Sequence, residues 1–339
     1  MSTMNRTRSA VLAGLSLSLV LAGCGSEDDG GDSAASSSSG EGSSAFPVTI
    51  EHAYGETEIP EEPQRVVSLG YTEQDAILAF GVVPVAVRYA FGPEDDVFFP
   101  WADEAAGDAE PVILPRTEVD AEQIAVLEPD LIMAVTAGLT EAEYETLSGI
   151  APVVVQPAEF PAFGTPWQDQ TLVTGRALGQ EERAEELVAE VEAQFEEVRA
   201  AHPELEGRTV TLSGVAYEGE YPFHASSDTR TQFFLDFGMV VDPELDEIAG
   251  EEFYGYLSQE QASMLDADVL LWQSGSDEER AQIEGDPVLN SIPAVAEGRA
   301  LFVEGADYDA LQFSSVLSLP YLLDSLVPEI SEIVQGAGA

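Results

Sequence analysis

The chain has 339 residues and carries 64 Asp and Glu against 12 Lys and Arg, a formal charge of −52. All twelve cations are arginine. Such an acidic balance excludes most nucleic-acid roles, which need Lys/Arg clusters to neutralise phosphate, and it excludes binding to anionic lipid through a basic patch. At 45% hydrophobic residues the chain can still bury a core, and its length fits two globular units. One cysteine excludes a disulfide framework and a multi-Cys zinc site. Three histidines, His52, His202 and His224, leave little for a His-rich metal centre.

At the N-terminus, Arg6 and Arg8 precede an apolar run from Ala10 to Ala22. The run is too short to span a bilayer as a mature helix, so residues 1–23 read as a signal peptide. Arg6-Thr7-Arg8 is not a twin-arginine pair, which favours the general secretory route. The run ends in Leu21-Ala22-Gly23-Cys24, which resembles the bacterial lipobox. By that resemblance Cys24 is lipidated and becomes the first mature residue. Cleavage would remove two arginines and no acid. No later apolar run approaches the ~18 residues of a membrane span. The expected location is the extracellular face of the cell membrane, with lipid as the only anchor. Residues 24–45 are Ser/Gly-rich with five acids, too polar to fold, and form a tether whose root-mean-square span is roughly 25 Å.

The body starts at Phe46-Pro47. Val48–His52 and Thr57–Pro60 around Tyr54-Gly55 predict a hairpin. An α/β rhythm follows. Arg65–Leu69 is a strand, Thr72-Glu73-Gln74-Asp75 resembles a capping box for a helix ending near Gly81, and Val82–Val87 is the next strand. Ala121–Leu127 is a short helix, Asp130–Val135 a strand, Thr140–Glu143 a second capping box and Val153–Val155 a buried strand. Short apolar strands alternating with helices imply mainly parallel sheets covered on both faces. From Trp167 to His202 the pattern is helical, split near Gly179, with Leu187, Val188, Val191, Phe195 and Val198 at helical spacing. The domain boundary belongs in this break in the rhythm. Beyond it come a strand at Thr209–Val215, a helix at Thr229–Phe237, a helix end at Ala262–Leu265, strands at Asp268–Trp272 and Ala300–Val303, and a final helix near Ser314–Leu326.

The two halves echo each other. Glu122-Gln123 through Leu127 to Asp130 and Glu260-Gln261 through Leu265 to Asp268 share the pattern E-Q-x-x-x-L-x-x-D before two apolar residues. Asp120 and Ser258 stand where an N-cap would. Each Glu suits the first turn of a helix by about 0.3–1 kcal/mol. Alternatively, the pair are acidic knobs, one per lobe, for a two-fold-symmetric partner. Two similar lobes imply a cleft between them, with ligand at the carboxyl ends of the strands.

The start of the body (FPVTIEHAYGETEIPEEPQRVVSLGYTEQDAILAFGVVPVAV), DAEQIAVLEPDLIMAV and DPVLNSIPAVAEGRALFV together resemble one family over residues 46 to about 327. It is the iron–siderophore substrate-binding lipoproteins of bacterial ABC importers, of the actinobacterial type. The resemblance implies a class III periplasmic-binding-protein fold: two α/β sandwich lobes with mainly parallel sheets, bridged by a single long helix that allows only small closing motions. The expected division is an N-terminal lobe at 46–166, a helical segment at 167–202 holding the interlobe helix, a C-terminal lobe at 203–330 and a tail at 331–339. The resemblance also implies that Glu122 and Glu260 dock on arginines of an ABC permease dimer served by its ATPase. The chain would be a monomer, binding no nucleic acid and needing no cofactor, with a ferric siderophore as cargo.

A ferric siderophore is a large, mixed polar and aromatic chelate, so its site needs aromatic faces and a few donors. Anionic complexes would demand arginine. Residues that follow the predicted strands are therefore candidates: Tyr71, Arg88, Tyr89 and Thr136 in the first lobe, and Tyr217, Tyr221 and Trp272 in the second, with Phe91 and Phe223 beside them. Trp101, Trp167, Arg230 and Phe313 complete the set. Each aromatic is equally readable as a hydrophobic cap, and each arginine as the partner of one of many acids. Haem or cobalamin is an alternative cargo, with His224 or Tyr221 as a haem ligand. A secreted lipoprotein enzyme is a distant alternative, since the chain holds no G-x-S-x-G, H-E-x-x-H or phosphate loop. The dense acids suit a surface kept soluble in salt.

Overall fold

A computed structural model describes residues 45–92, 97–117, 119–312 and 314–336. The expected signal peptide, Cys24, all but the last residue of the tether, and Phe313 lie outside the described residues. The body opens with the expected hairpin, β1 (Val48–His52) against β2 (Gly55–Ile59). Alternation turns Ile50, His52, Thr57 and Ile59 inward, and His52 Nε2 lies 2.9 Å from Thr57 Oγ1. This settles His52 as a packed, hydrogen-bonded side chain.

The chain then alternates through β3 (Val66–Ser68), α1 (Glu73–Ala79), β4 (Ala86–Arg88), α2 (Asp103–Ala106), β5 (Val112–Leu114), α3 (Ala121–Val126), β6 (Leu131–Ala134), α4 (Glu141–Ser148) and β7 (Val153–Val155). The five strands are parallel in the order β5-β4-β3-β6-β7. Every residue of β3, β4, β6 and β7 is buried, as strands covered on both faces require.

The second capping box forms: the Glu143 N–H donates to Thr140 Oγ1 and the Thr140 N–H to Glu143 Oε2. The first does not. Thr72 takes a φ of 54° and its hydroxyl donates to the Tyr71 carbonyl. Glu73 turns back into the lobe instead, accepting the Gly70 N–H at 2.8 Å and the Val135 N–H at 2.7 Å. A Cβ on Gly70 would stand 2.4 Å from Glu73 Oε2, so only glycine leaves room for that carboxylate.

The long helical stretch divides as expected into α5 (Trp167–Ala177) and α6 (Glu181–Ala201), with Gly179 at φ 71° between them. α5 packs on α1 and β1, so it belongs to the first lobe. α6 starts on the same lobe, where Ala184 meets Gly175 and Gln180 donates to the Phe80 carbonyl. It ends on the second lobe, where Phe195 meets the Phe233 ring edge-on at 5.8 Å and Arg199 donates to the Asp236 carbonyl.

The second lobe holds β8 (Val210–Ser213), β9 (Tyr221–His224), α7 (Thr229–Asp236), α8 (Pro243–Ala249), β10 (Tyr254–Leu257), β11 (Val269–Gln273), α9 (Asp277–Gly285), α10 (Pro293–Ala296), β12 (Ala300–Val303), α11 (Gly305–Gln312) and α12 (Ser318–Gly336). Its sheet order is β10-β9-β8-β11-β12, with β8, β11 and β12 parallel and β9 antiparallel to both of its neighbours, β8 and β10. No strand is expected at β9 from the sequence, because a strand containing Pro222 carries a weak signal. The stretch before β11 is a 3₁₀ turn, Ala262–Leu265, not the end of a helix, and the Ser258 hydroxyl caps nothing: it donates to Gln261 Oε1.

The last helix differs most from expectation. It begins at Ser318, passes through Pro328 and ends at Gly336, so the residues read as a tail up to that point are helical. The interior proline costs about 3 kcal/mol. Buried Leu322, Leu326, Ile330 and Val334 keep the apolar stripe unbroken across it, at roughly 1.5–3 kcal/mol for each fully buried side chain. α12 runs beside α6 and touches both lobes: Tyr321 lies 5.5 Å from Trp101, while Ser331 bonds His202 and Glu204. His202 is thereby a packing residue as well. A single apolar cluster extends from Ile59 and Phe80 through Phe195 and Leu322 to Phe233 and Leu271, so the bridge is solid core.

Candidate functional site

Strand order reverses between β3 and β6 in one lobe and between β8 and β11 in the other, and ligands bind outside the carboxyl ends at such points. In the first lobe this point is built by Tyr71 and Thr136. The Tyr71 N–H donates to the Thr136 carbonyl at 3.3 Å, and Thr136 Oγ1 donates to the Tyr71 carbonyl at 2.9 Å. A cavity of about 230 Å³ opens beside them. Thr136, Phe163 and Trp167 line it from the first lobe, and Ser227, Thr229 and Gln232 from the start of α7.

Tyr71 is half-buried and organises the wall. Arg88, at the end of β4, sets its guanidinium carbon 4.7 Å from the ring centroid, and Phe163 stacks on the same ring at 5.7 Å and 22°. Arg88 is only 6% exposed, donates to the Ala137 carbonyl through Nη2, and has no carboxylate within ion-pair distance among the described residues. Its charge is felt at the buried carboxyl of Glu73. Burial pushes that carboxyl up to about 7, against the pull of the Val135 and Gly70 N–H groups and of Arg88.

The other candidates divide. Tyr89 is half-buried and its hydroxyl closes a turn onto the Gly92 carbonyl at 2.9 Å. Trp101 donates its N–H to Asp75 Oδ2 at 2.7 Å and stacks on Phe99 at 4.7 Å, so its polar handle serves the fold. Phe91 extends that stack. Arg230 folds back on its own helix cap: Nε reaches Asp228 Oδ1 at 2.8 Å and Nη2 reaches Asp228 Oδ2 at 2.7 Å.

Four candidates require correction. Trp272 is 2% exposed and packs in the core of the second lobe, because it lies within β11 rather than beyond it. Tyr221 and Phe223 face that same core from β9. The Tyr221 hydroxyl donates to Asp286 Oδ2 at 3.0 Å, and burial together with that carboxylate pushes the phenol up to about 12. Tyr217 is 64% exposed, in a turn paired with Glu220, and is not part of the cavity lining. With Tyr221 engaged, and His224 Nδ1 3.0 Å from Asp228 Oδ2, neither expected haem ligand is presented to the cavity. Among the described residues no three His, Cys, Asp or Glu side chains gather as a metal-ligand set.

Phe163, Ser227, Thr229 and Gln232 escaped the sequence reading. The one available signal was Pro161-Ala162-Phe163-Gly164-Thr165-Pro166, an aromatic held between turn residues. The two docking candidates are exposed: Glu122 in the first turn of α3, where Asp120 accepts its N–H at 2.9 Å, and Glu260 in the turn before Ala262. The cavity lining offers aromatic faces with hydroxyl and amide groups, and the buried Arg88 guanidinium lies against the Tyr71 ring beside it, a setting suited to an organic ligand rich in oxygen acceptors.

Residues 69–304 match the family model described as periplasmic binding protein. The chain is 26% identical over 313 residues to the Fe(3+)-citrate-binding protein YfmC of Bacillus subtilis, covering 91% of this chain and 92% of that one. A periplasmic solute binding protein from Mycobacterium smegmatis superimposes with a TM-score of 0.77 at 37% identity, over 85% of this chain and 98% of the other. PiaA of Streptococcus pneumoniae, solved in complex with ferrichrome, does so with a TM-score of 0.74 at 26% identity, over 85% and 99%. The bilobed α/β fold bridged by α6 and the extent of these matches lead to one conclusion: this chain belongs to the periplasmic binding protein family.

Proposed function

We propose that this protein captures a ferric siderophore in the interlobe cleft and delivers it to an ABC importer, making and breaking no covalent bond. The observation that carries the reading is the Arg88–Tyr71–Phe163 group beside Thr136, set at the switch point of the first sheet and opposite the polar start of α7. Aromatic faces pack the chelate while hydroxyls and guanidinium address its oxygens. Relatives named for Fe(3+)-citrate and ferric-anguibactin binding, at 26% and 25% identity over most of this chain, support it. Lipid on Cys24 holds the protein at the extracellular face of the membrane, and Glu122 and Glu260 meet the permease dimer, one lobe to each half.

The test is a tryptophan-fluorescence titration, with Trp167 on the cavity as reporter. Ferric citrate, a ferric tris-catecholate and a ferric tris-hydroxamate are compared with haem and cobalamin. Saturable quenching by a ferric chelate at micromolar or lower concentration is expected. A response to haem or cobalamin alone would replace the reading with a different cargo, and no response to any of the five would end it.

A further inference from the structure

At the carboxyl end of the first sheet's central pair, a side chain takes over from the backbone ladder. The Leu69 N–H still donates to the Met133 carbonyl, at 2.8 Å. One residue further on, the acceptor is Glu73, which opens α1 and is fully buried. Its two oxygens take one N–H from each strand end: Gly70, past β3, at 2.8 Å, and Val135, past β6, at 2.7 Å. The next residue on each side is Tyr71 or Thr136, the wall of the cleft. One carboxylate thus spans the switch point at the foot of the first-lobe wall.

The chain bends against its own preference to make this tie. Thr72 holds a left-handed φ of 54°, which is costly for a β-branched residue and is found mainly where a site requires it. A Cβ on Gly70 would stand 2.4 Å from both Glu73 Oε2 and Thr136 Oγ1, so the carboxylate and the wall share one tight space. The charge is also held at a cost. Burial pushes the carboxyl up to about 7, although both N–H groups and Arg88 pull it down. Arg88, from β4, is the charged group felt there; Asp75, two residues along α1, turns instead to Trp101 and Ser315. A glutamine would fill the same space without a buried charge. It would not make the same tie, because its amide sets an N–H against one of the two donors.

We propose that Glu73 is a positioning residue for cargo capture: its carboxylate ties the ends of β3 and β6 together and so fixes where Tyr71 and Thr136 stand to receive the ferric chelate. The proposal rests on the ferric-siderophore reading above and adds to it a residue that acts only through the wall. Without the tie, one strand end loses its acceptor and the wall residue beyond it shifts against Ser227 and Thr229 across the cavity.

The experiment compares the full-length protein with Glu73→Gln in fluorescence titrations against ferric citrate, a ferric tris-catecholate and a ferric tris-hydroxamate, with thermal melts alongside. At pH 8 the chelate that wild type binds most tightly should bind Glu73→Gln at least fivefold more weakly, while the variant melts no lower than wild type. Removing a negative charge beside Arg88 would by itself favour an anionic chelate, so a loss reports position rather than charge. The gap should close towards pH 5.5, where wild-type Glu73 carries a proton; comparing the two proteins at each pH cancels the titration of the chelate itself. Gly70→Ala, which crowds the carboxylate and leaves its charge, should reproduce the loss. In wild type alone, the amide-proton resonances of Gly70 and Val135 should move together as pH falls through about 7. Binding by Glu73→Gln as tight as wild type's, a gap that is constant with pH, a melt well below wild type's, or resonances that stay still would each overturn the proposal while leaving ferric-chelate binding intact. Absence of wild-type binding to all three chelates would instead overturn the function from which it starts.

Discussion

Asp130 and Asp268 perform the same task in the two lobes. The Asp130 carboxylate accepts the N–H groups of Gln64 and Arg65 at 2.8 Å each, and Asp268 accepts the Thr209 N–H at 2.9 Å and its hydroxyl at 3.2 Å. Each stands just before the second strand of its switch pair, β6 or β11, and pins the start of the first, β3 or β8, fixing the register Val66↔Leu131 and Val210↔Val269. The repeated aspartate in the sequence echo is therefore a clamp that sets strand register, and through it the height at which Tyr71 and Thr136 emerge.

Replacing either clamp removes hydrogen bonds from donors that water can reach and should cost about 0.5–1.5 kcal/mol. Asp130→Ala and Asp268→Ala are expected to lower the denaturation midpoint by similar amounts, and the double variant by nearly their sum, since the residues lie in separate lobes with no shared partner. Urea denaturation of the three variants checks this. A double variant no worse than either single one would mean that the two clamps do not act independently.

Asp75 links three parts of the molecule. It sits on α1, is fully buried, and accepts the Trp101 Nε1–H at 2.7 Å and the Ser315 hydroxyl at 2.6 Å from the segment that leads into α12, while Oδ1 has no hydrogen-bond partner among the described residues. Burial pushes its carboxyl up to about 6, although both bonds oppose that shift. The folded state thus holds this proton more tightly than the unfolded chain does. The resulting stability is fully present below about pH 4 and is lost as pH rises through about 6, by roughly 3 kcal/mol at 1.4 kcal/mol per unit. Glu73, pushed up to about 7 by burial, adds the same sign over a slightly higher range. Melting temperature should therefore rise as pH falls from 7.5 to 5, and Asp75→Asn should flatten that rise. An unchanged slope in Asp75→Asn would remove Asp75 as its source.

Arg230 and Arg88 looked alike as strand-end cations, yet their surroundings set them apart. Arg230 is neutralised by Asp228, whose carboxyl is held well below the usual range: burial would raise it, but His224 and Arg230 outweigh burial. Among the described residues, Arg88 has only a ring and a carbonyl. Arg88→Gln should reduce affinity for an anionic ferric chelate at least tenfold, and Arg230→Gln less than threefold, by fluorescence titration. Asp228→Ala, which also removes the cap of α7, should lower stability by about 1 kcal/mol. A larger loss from Arg230→Gln than from Arg88→Gln would reverse the assignment.

The same contrast explains how far the sequence could be read. Continuous apolar runs such as Leu131–Ala134 and Val153–Val155 mark buried parallel strands, and they fell where expected. The break at Gly179 was legible because a positive φ there suits glycine. Local signals failed where a distant partner decides. Thr72-Glu73-Gln74-Asp75 has the letters of a capping box, but Glu73 finds the Val135 N–H and Asp75 finds Ser315, 62 and 240 residues away. Trp272 was placed at a strand end, yet the strand continues through it into the core. The cavity wall on α7 was invisible because Ser227, Thr229 and Gln232 are ordinary polar residues until the fold turns them toward Thr136.

Glu122 and Glu260 are exposed on opposite lobes at matching places in the echo, but their supports differ: a true helix start with the Asp120 cap for the first, a turn followed by a 3₁₀ segment for the second. Neither carboxylate accepts a hydrogen bond from another side chain among the described residues, so neither is needed to hold its turn. Glu122→Ala and Glu260→Ala should therefore change stability by less than about 0.5 kcal/mol each, as expected for surface sites away from special features. If both meet cations on the permease, the double variant keeps its affinity for the ferric chelate and loses uptake of labelled iron by whole cells, each single variant losing part. Charge reversal on the permease face should then restore transport to a doubly Lys-substituted protein, because it is the sign of the pair that is read. Full uptake by Glu122→Ala/Glu260→Ala would show that docking rests on other residues.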